Sequence, residues 1–177
     1  MDVLEKLSEN KTTLLIIPSE EYNSFIVGIA KQVSKNKVIY VTLNKTYESL
    51  KEIFNKKGVN TEKMFFIDAI SKTIKKTPDQ TPDCYFINSP GALTDLSLII
   101  SKLLDEPFDY LLFDSLTNLT IYEKKTPVAK FLAGLVNKIE ESKIMALFYA
   151  LNVGQQDELI KECEMFVDEV VDLSKTI

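Results

Sequence analysis

The sequence contains no histidine, no tryptophan and no arginine, since all 21 of its Lys-plus-Arg residues are lysine. A histidine-based catalytic triad, a histidine-ligated metal and an arginine finger are therefore excluded for this chain alone. The two cysteines, Cys84 and Cys163, form no CxxC pair, so we expect reduced thiols and no zinc site. Long apolar runs are also absent, which predicts a protein without a membrane-spanning segment.

The composition is mildly acidic, with 26 Asp and Glu residues against 21 lysines and a formal net charge of −5. The lysines are interspersed with acids, whereas binding to nucleic-acid phosphates needs clustered cations. We therefore expect no nucleic-acid partner. With 177 residues, 45% of them hydrophobic, the chain can bury a sizeable core. We expect a single domain over residues 1–177 that is soluble and cytoplasmic.

Short apolar runs rich in Ile, Val, Tyr and Phe alternate with longer stretches of helical period. The runs predict strands at 12–17, 37–43, 64–68, 84–87, 110–113, 143–151 and 169–173, and the periodic stretches predict helices at about 20–34, 47–57, 93–105, 126–141 and 155–163. This order is typical of βαβ units and a mainly parallel sheet. We predict a three-layer α/β/α sandwich.

Local residues predict where some of these elements begin and end. Gly58 is expected to end the second helix in the left-handed conformation, and Thr126 with Pro127 is expected to begin the helix at 126–141. Residues 71–83 contain two prolines, one apolar side chain and no periodicity. We expect this segment to be a mobile surface loop without a domain boundary.

Four segments, in chain order, resemble the KaiC-like branch of the RecA superfamily of nucleotide-binding ATPases. They are VIYVTLNKTYESLKEIFNKKGVN at 38–60, MFFIDAIS at 64–71, YLLFDSLTNL at 110–119 and CEMFVDEVVDL at 163–173. The third segment is similar to the Walker B strand of that branch, which ends in an aspartate, here Asp114. The resemblance spans nearly the whole chain and implies the RecA/KaiC-like form of the P-loop NTPase fold, with ligands at the strand ends.

The chain departs from this resemblance at the phosphate-binding loop. In the superfamily the first strand runs into a glycine-rich loop ending in Gly-Lys-Ser/Thr, whose N–H groups and lysine bind phosphate. Here residues 17–24 read IPSEEYNS, without glycine, with Asn23 at the lysine position and only Ser24 retained. Glu20 and Glu21 are expected in the first turn of the next helix, where they would repel a triphosphate or simply stabilise the helix.

The residues of the catalytic base are missing as well. The resemblance to the KaiC-like branch implies a pair of Glu residues just after the second strand. This chain has Asn44 and Lys45 at those positions. Asp114 is then either a metal-linked carboxylate or, as we favour, a strand-end residue that hydrogen-bonds the turn at residues 115–117. Four strand tyrosines are expected to be core residues: Tyr40, Tyr85, Tyr110 and Tyr149.

These departures predict a RecA/KaiC-like domain that has no catalytic residues, has lost ATP hydrolysis and tight ATP binding, and acts as a protein-interaction or regulatory module. We expect no cofactor, with ATP and Mg²⁺ disfavoured, and no metal. The expected partner is a protein, either a second copy of this chain or an active paralogue. The alternative is a small-ligand or nucleotide-binding sensor, or an ATPase, that uses a crevice at the strand ends lined by Ser19, Asn23, Ser24, Asn44 and Asp114.

Overall fold

The computed structural model of the protein describes residues 2–152 and 157–175. Its strands are β1 (Thr12–Pro18), β2 (Val38–Thr42), β3 (Met64–Asp68), β4 (Gln80–Thr81), β5 (Cys84–Phe86), β6 (Tyr110–Asp114), β7 (Met145–Asn152) and β8 (Glu169–Asp172). They form one sheet in the order β4-β5-β3-β2-β6-β7-β1-β8. Every pair of neighbours is parallel except β4 and β5, which confirms the mainly parallel sheet.

Helices cover both faces of the sheet. They are α1 (Val3–Glu9), α2 (Tyr22–Val33), α3 (Tyr47–Lys56), α4 (Ser71–Ile74), α5 (Leu93–Leu104), α6 (Leu116–Tyr122), α7 (Lys125–Glu140) and α8 (Asp157–Glu164), with 3₁₀ turns at Ser19–Glu21 and Leu173–Lys175. One face packs against α1, α2 and α3, and the other packs against α5 to α8. The predicted three-layer α/β/α sandwich is therefore confirmed. Along the described residues, no helix combines the length and apolar character needed to cross a bilayer.

The central strands are buried on both faces, as their apolar runs predict. On β6, Leu111 and Phe113 face the α5–α8 layer and Leu112 faces the α1–α3 layer, because successive side chains of a strand point to opposite faces. All three are 0% exposed. Burying each such side chain contributes about 1.5–3 kcal/mol relative to leaving it in water, so the core lies along these strands.

The helices that pack on the Leu112 face follow their predicted patterns. In α2 the buried residues recur at three- and four-residue spacing, which places them on one side of the helix: Tyr22, Ile26, Ile29, Ala30 and Val33. Helix α3 is capped by Thr46, whose hydroxyl accepts a hydrogen bond from the Ser49 N–H at 3.2 Å. Gly58 follows this helix with φ +73°, which confirms its predicted left-handed conformation.

Three helices were not predicted: α1, α6 and the short α4. The first, α1, lies among scattered charges and buries Leu7 against the α2 side of the sheet. The second, α6, follows β6 directly and has the sequence LTNLTIY, whose β-branched residues disfavour a helix. Leu116 and Leu119 of α6 are buried in the opposite layer, so tertiary packing overrides the local propensity.

Two local predictions were wrong. The segment at residues 71–83 is not wholly irregular, since it contains α4 and the two-residue strand β4, which pairs antiparallel with β5. Helix α7 begins at Lys125 with Lys124 as its N-cap, so Thr126 is not the cap and Pro127 is the third helical residue. Pro is tolerated there because the first N–H groups of a helix have no intrahelical acceptor. The predicted helix at 155–163 is seen from Asp157, because residues 155 and 156 lie outside the described part of the chain.

Candidate functional site

The candidate site lies at the edge of the sheet where the parallel strands end. Strand β6 ends at Asp114, β2 is followed by Asn44 and Lys45, and β1 is followed by the 3₁₀ turn Ser19–Glu21. Because parallel strands end at the same edge, these segments meet there. The structure thereby brings two of the five predicted residues, Asn44 and Asp114, into one hydrogen-bonded cluster.

A tyrosine links these two residues. The Tyr22 hydroxyl donates to Asp114 Oδ2 at 2.5 Å and accepts from Asn44 Nδ2 at 2.7 Å. The Tyr40 hydroxyl donates to the same Oδ2 at 2.7 Å. Asp114 is 0% exposed and Tyr22 is 7% exposed, whereas Asn44 is half-buried, so the centre of the cluster is closed to solvent. We refer to Tyr22, Tyr40, Asn44, Asp114 and their neighbour Tyr149 as the tyrosine–aspartate cluster.

The sequence-based interpretation that we favoured for Asp114 predicted the wrong hydrogen-bond partners. Its carboxylate accepts from two tyrosine hydroxyls and not from the turn at residues 115–117. In that turn, the Ser115 hydroxyl donates instead to Asn118 Oδ1, and Thr117 Oγ1 accepts from the Leu151 N–H. Asp114 therefore ties α2 and β2 to the end of β6.

The other three predicted residues do not join this cluster. Asn23 and Ser24 are exposed on the first turn of α2. Ser19 is also exposed, and its hydroxyl donates to the Asn152 carbonyl at 3.2 Å. The predicted group of five polar side chains is thus divided into two that join the cluster, the half-buried Asn44 and the buried Asp114, and three that are exposed.

Electrostatics in the cluster are set by burial. Burial raises the pKa of Asp114 to about 6, although the hydrogen bonds from Tyr22 and Tyr40 and the charge of Lys45 act to lower it. Burial, followed by the nearby Asp114 charge, also raises the pKa of Tyr22, Tyr40 and Tyr149 above the ordinary tyrosine value. The tyrosines therefore remain protonated donors at neutral pH, whereas Asp114 changes its charge near pH 6.

A basic side chain, Lys45, lies beside the cluster. Its ammonium lies 5.7 Å from the centroid of the Tyr22 ring, within the range of a cation–π interaction. Its charge favours the ionised form of Asp114. Lys45 thus partly compensates the buried carboxylate without a direct ion pair.

The connection between β1 and α2 is short and regular. Only three residues, the 3₁₀ turn Ser19–Glu21, separate Pro18 from Tyr22. The Tyr22 N–H already donates to the Ser19 carbonyl. Among the described residues, Gly58 alone has a positive φ, whereas a nest of N–H groups needs left-handed residues. Glu20 and Glu21 were predicted in the first turn of α2. They lie instead in this 3₁₀ turn.

A shallow crevice at this edge has a lining different from the predicted one. It has a volume of about 340 Å³ and is lined by Pro18, Glu20, Glu21, Asn152 and Ser174. A larger cavity of about 810 Å³ lies at the opposite edge, between the ends of α5 and α7, and is lined by acids and lysines including Asp105, Glu106, Lys138 and Lys143. We place the candidate site at the strand ends, because the buried titratable cluster is there.

Sequence reasoning missed Tyr22 as the centre of the site. Its position in the apolar period of α2, four residues before Ile26, was the available signal that it points inward. Tyr40 and Tyr149 are buried, as predicted for core aromatics, whereas Tyr85 and Tyr110 are only half-buried. Both cysteines, Cys84 and Cys163, are buried and unpaired.

The fold and site define a protein with a RecA/KaiC-like α/β fold that carries a buried tyrosine–aspartate cluster at its strand ends. The structure is similar to the crystal structure of a KaiC-like protein from the hyperthermophilic archaeon Pyrococcus horikoshii OT3, with a TM-score of 0.66 and 13% sequence identity. The match covers 92% of this chain and 71% of that chain. At this identity the likeness shows the fold alone.

The chain belongs to a family described as "Family of unknown function (DUF7504)", whose profile matches residues 29–173. No functionally curated protein matches the sequence. The family match contains Tyr40, Asn44, Asp114 and Tyr149 but begins after Tyr22. The family itself assigns no activity to these residues.

Proposed function

We propose that this protein is a non-catalytic RecA/KaiC-like domain that neither hydrolyses ATP nor binds it tightly, and that it acts as a protein-interaction or regulatory module. The observation that carries this proposal is Tyr22. This residue begins α2 directly after the turn that follows β1, its ring is buried, and its hydroxyl donates to Asp114 at 2.5 Å. A nucleotide bound at the start of α2 would have to displace the Tyr22 side chain.

Displacing Tyr22 is energetically unfavourable. The ring is 7% exposed, and losing the burial of a side chain of this kind costs about 1.5–3 kcal/mol. The hydroxyl would also lose its bonds to Asp114 and Asn44, and a hydrogen bond to a charged group contributes about 1.5–3 kcal/mol. A ligand would need to exceed both contributions without a glycine-rich loop to help it.

The position of the catalytic base supports the same proposal. The resemblance to the KaiC-like branch puts a pair of Glu where this chain has Asn44 and Lys45. Asn44 is engaged as a donor to the Tyr22 hydroxyl, and Lys45 lies over the Tyr22 ring. Neither side chain is a carboxylate that could activate water. Asp114 lacks both a base and a phosphate-binding lysine beside it.

Calorimetric titration with ATP in the presence of Mg²⁺ tests the loss of nucleotide binding. We expect no saturable heat from the wild-type protein and no phosphate release in a hydrolysis assay. The Tyr22→Ala variant removes the occupying side chain but supplies no loop, so it should also fail to bind. Saturable, Mg²⁺-dependent binding at micromolar affinity by the wild type would overturn the proposal.

The proposed interaction role concerns a protein partner, either a second copy or an active paralogue. Large apolar side chains on the surface support it, notably Ile121 at 73% and Tyr122 at 45% exposure, adjacent at the end of α6 near the strand ends. Sedimentation over a range of concentrations, with and without a candidate paralogue, measures association directly. Ile121→Lys should weaken association, whereas Ile74→Lys, at a side chain 68% exposed on α4, is the matched control. Monomers at all concentrations, with no paralogue bound, would count against this role.

The alternative function is a small-ligand sensor at the strand ends, and the 340 Å³ crevice beside Glu20 and Glu21 is the observation that favours it. Its two glutamates are exposed and form no ion pair with the described residues, so a cationic or neutral ligand suits this lining better than a nucleotide. A thermal-shift screen of nucleosides, nucleotides, amines and metals tests it. A shift that the Glu20→Gln, Glu21→Gln double variant abolishes would favour the sensor.

A further inference from the structure

Three oxygens of the tyrosine–aspartate cluster are buried without a hydrogen-bond partner among the described protein groups. They are Asp114 Oδ1, Asn44 Oδ1 and the Tyr149 hydroxyl. Leaving a buried polar atom unpaired costs about 1–3 kcal/mol, and native proteins rarely tolerate three such atoms in one place. A fourth atom of this kind, Thr13 Oγ1, lies on β1 two residues before Leu15, the register partner of Tyr149, and so lies further from the strand ends.

The three atoms belong to one neighbourhood of the fold. In the parallel pair β6–β7, Phe113 is in register with Phe148, so the next residues, Asp114 and Tyr149, are neighbours on the same face of the sheet. Adjacent strands lie about 4.8 Å apart. Asn44 joins them through Tyr22, because its amide nitrogen is 2.7 Å from the Tyr22 hydroxyl and that hydroxyl is 2.5 Å from Asp114 Oδ2.

The unpaired groups are complementary to a single water molecule. Asp114 Oδ1 and Asn44 Oδ1 are acceptors, and the Tyr149 hydroxyl has a proton to donate. Water has two donors and two acceptor lone pairs, and buried waters typically make about three hydrogen bonds to otherwise unpaired groups. We infer that the protein binds one internal water molecule, which donates to Asp114 Oδ1 and Asn44 Oδ1 and accepts from the Tyr149 hydroxyl.

Other small occupants fit these groups less well. An ammonium ion or a monovalent metal ion offers no acceptor to the Tyr149 hydroxyl proton. The Lys45 ammonium already contributes a positive charge that acts on Asp114 and would repel a second cation. Water satisfies all three groups without adding charge. This inference does not depend on the proposed loss of ATP binding.

A crystal structure of the full chain at about 1.5 Å resolution, grown without ammonium and then soaked in rubidium chloride, tests the site. We expect a density peak at about 2.7–3.2 Å from Asp114 Oδ1 and also within hydrogen-bonding distance of Asn44 Oδ1 or the Tyr149 hydroxyl. The peak should carry no anomalous rubidium signal. A dry Asp114 Oδ1, or a rubidium signal at the peak, would overturn the inference.

Thermal unfolding of Tyr149→Phe tests the site in solution by the sign of its effect. If the hydroxyl binds water, its removal should lower the unfolding midpoint by about 2–4 °C. If the hydroxyl is dry and unpaired, its removal should raise the midpoint, because an unpaired buried group is lost. Tyr40→Phe is the matched control, since its hydroxyl has a protein acceptor at 2.7 Å and its loss must lower the midpoint. A raised midpoint for Tyr149→Phe contradicts the water site.

Discussion

Replacing Asp114 by asparagine is expected to stabilise the folded protein at neutral pH, although it alters the centre of the candidate site. Asparagine keeps a carbonyl oxygen that can accept from both Tyr22 and Tyr40, as Oδ2 of Asp114 does. Its amide would take the place of Oδ1, which has no protein partner among the described residues. The substitution therefore removes a buried charge and keeps the two tyrosine hydrogen bonds.

The size and the pH dependence of this effect follow from the pKa of Asp114. Burial raises this pKa from an ordinary value of 3.8 to about 6. One pKa unit corresponds to about 1.4 kcal/mol, so the difference amounts to about 3 kcal/mol. The folded state binds this proton more tightly than the unfolded chain does. Its contribution to stability is therefore complete below pH 3.8 and is lost as the pH rises through about 6.

Urea unfolding followed by far-UV circular dichroism from pH 4 to pH 8 measures this difference. The free energy of unfolding of Asp114→Asn should exceed that of the wild type by up to about 3 kcal/mol above pH 6, and the gap should close towards pH 4. Asp68→Asn is the matched control. Asp68 is also buried, but both of its oxygens accept, from Tyr47, Ile70 and Ser71, so an amide there should destabilise the protein.

A gap between Asp114→Asn and the wild type that stays constant with pH would refute this reasoning. It would mean that Asp114 has the same proton affinity in the folded and unfolded states. A variant less stable than the wild type at pH 8 would refute it as well. In that case the carboxylate charge would strengthen the tyrosine hydrogen bonds by more free energy than its burial costs.

Three further substitutions, with Gly28→Ala as a control, test the fold by urea unfolding at pH 7. Tyr22→Phe should cost about 1–3 kcal/mol, because it leaves Asn44 and Asp114 without their shared hydroxyl; an unchanged stability would contradict the bonding seen. Phe54→Ala should cost about 3–5 kcal/mol, since this ring is 0% exposed and packs 5.5 Å from Tyr40 between ring centroids. Gly58→Ala should cost about 1 kcal/mol because φ is +73°, whereas Gly28→Ala, with open space around it in α2, should not destabilise.

Most of the sheet could be predicted from the sequence because its strands are short and continuously apolar. The predicted strand at 110–113 coincides with β6 to within one residue, and burial on both faces explains its lack of polar alternation. Helix α6 could not be predicted, because residues 116–122 favour strand or turn locally. Its helical form depends on burying Leu116 and Leu119 against the sheet.

The site could be predicted only in part. Asn44 and Asp114 follow from their positions at strand ends, since all parallel strands end at one edge. Their link through Tyr22 could not be predicted, because Tyr22 and Asp114 are 92 residues apart and nothing local pairs them. A tyrosine in the apolar pattern of a helix cannot be distinguished from other core residues by sequence alone. Its hydrogen-bond partner is known only once the packing of the helix on the sheet is known.

The sequence by itself determined which chemistry this protein lacks. The chain has no arginine and no histidine, so its own residues cannot form a guanidinium or imidazole site, and residues 17–24 contain no glycine and have Asn23 before Ser24. Only the tertiary structure decided which side chains meet at the strand ends. Packing α2 against β1 and β6 turns Tyr22 inward, and burial then makes its hydroxyl take Asp114 as an acceptor, because neither group could remain unpaired away from water.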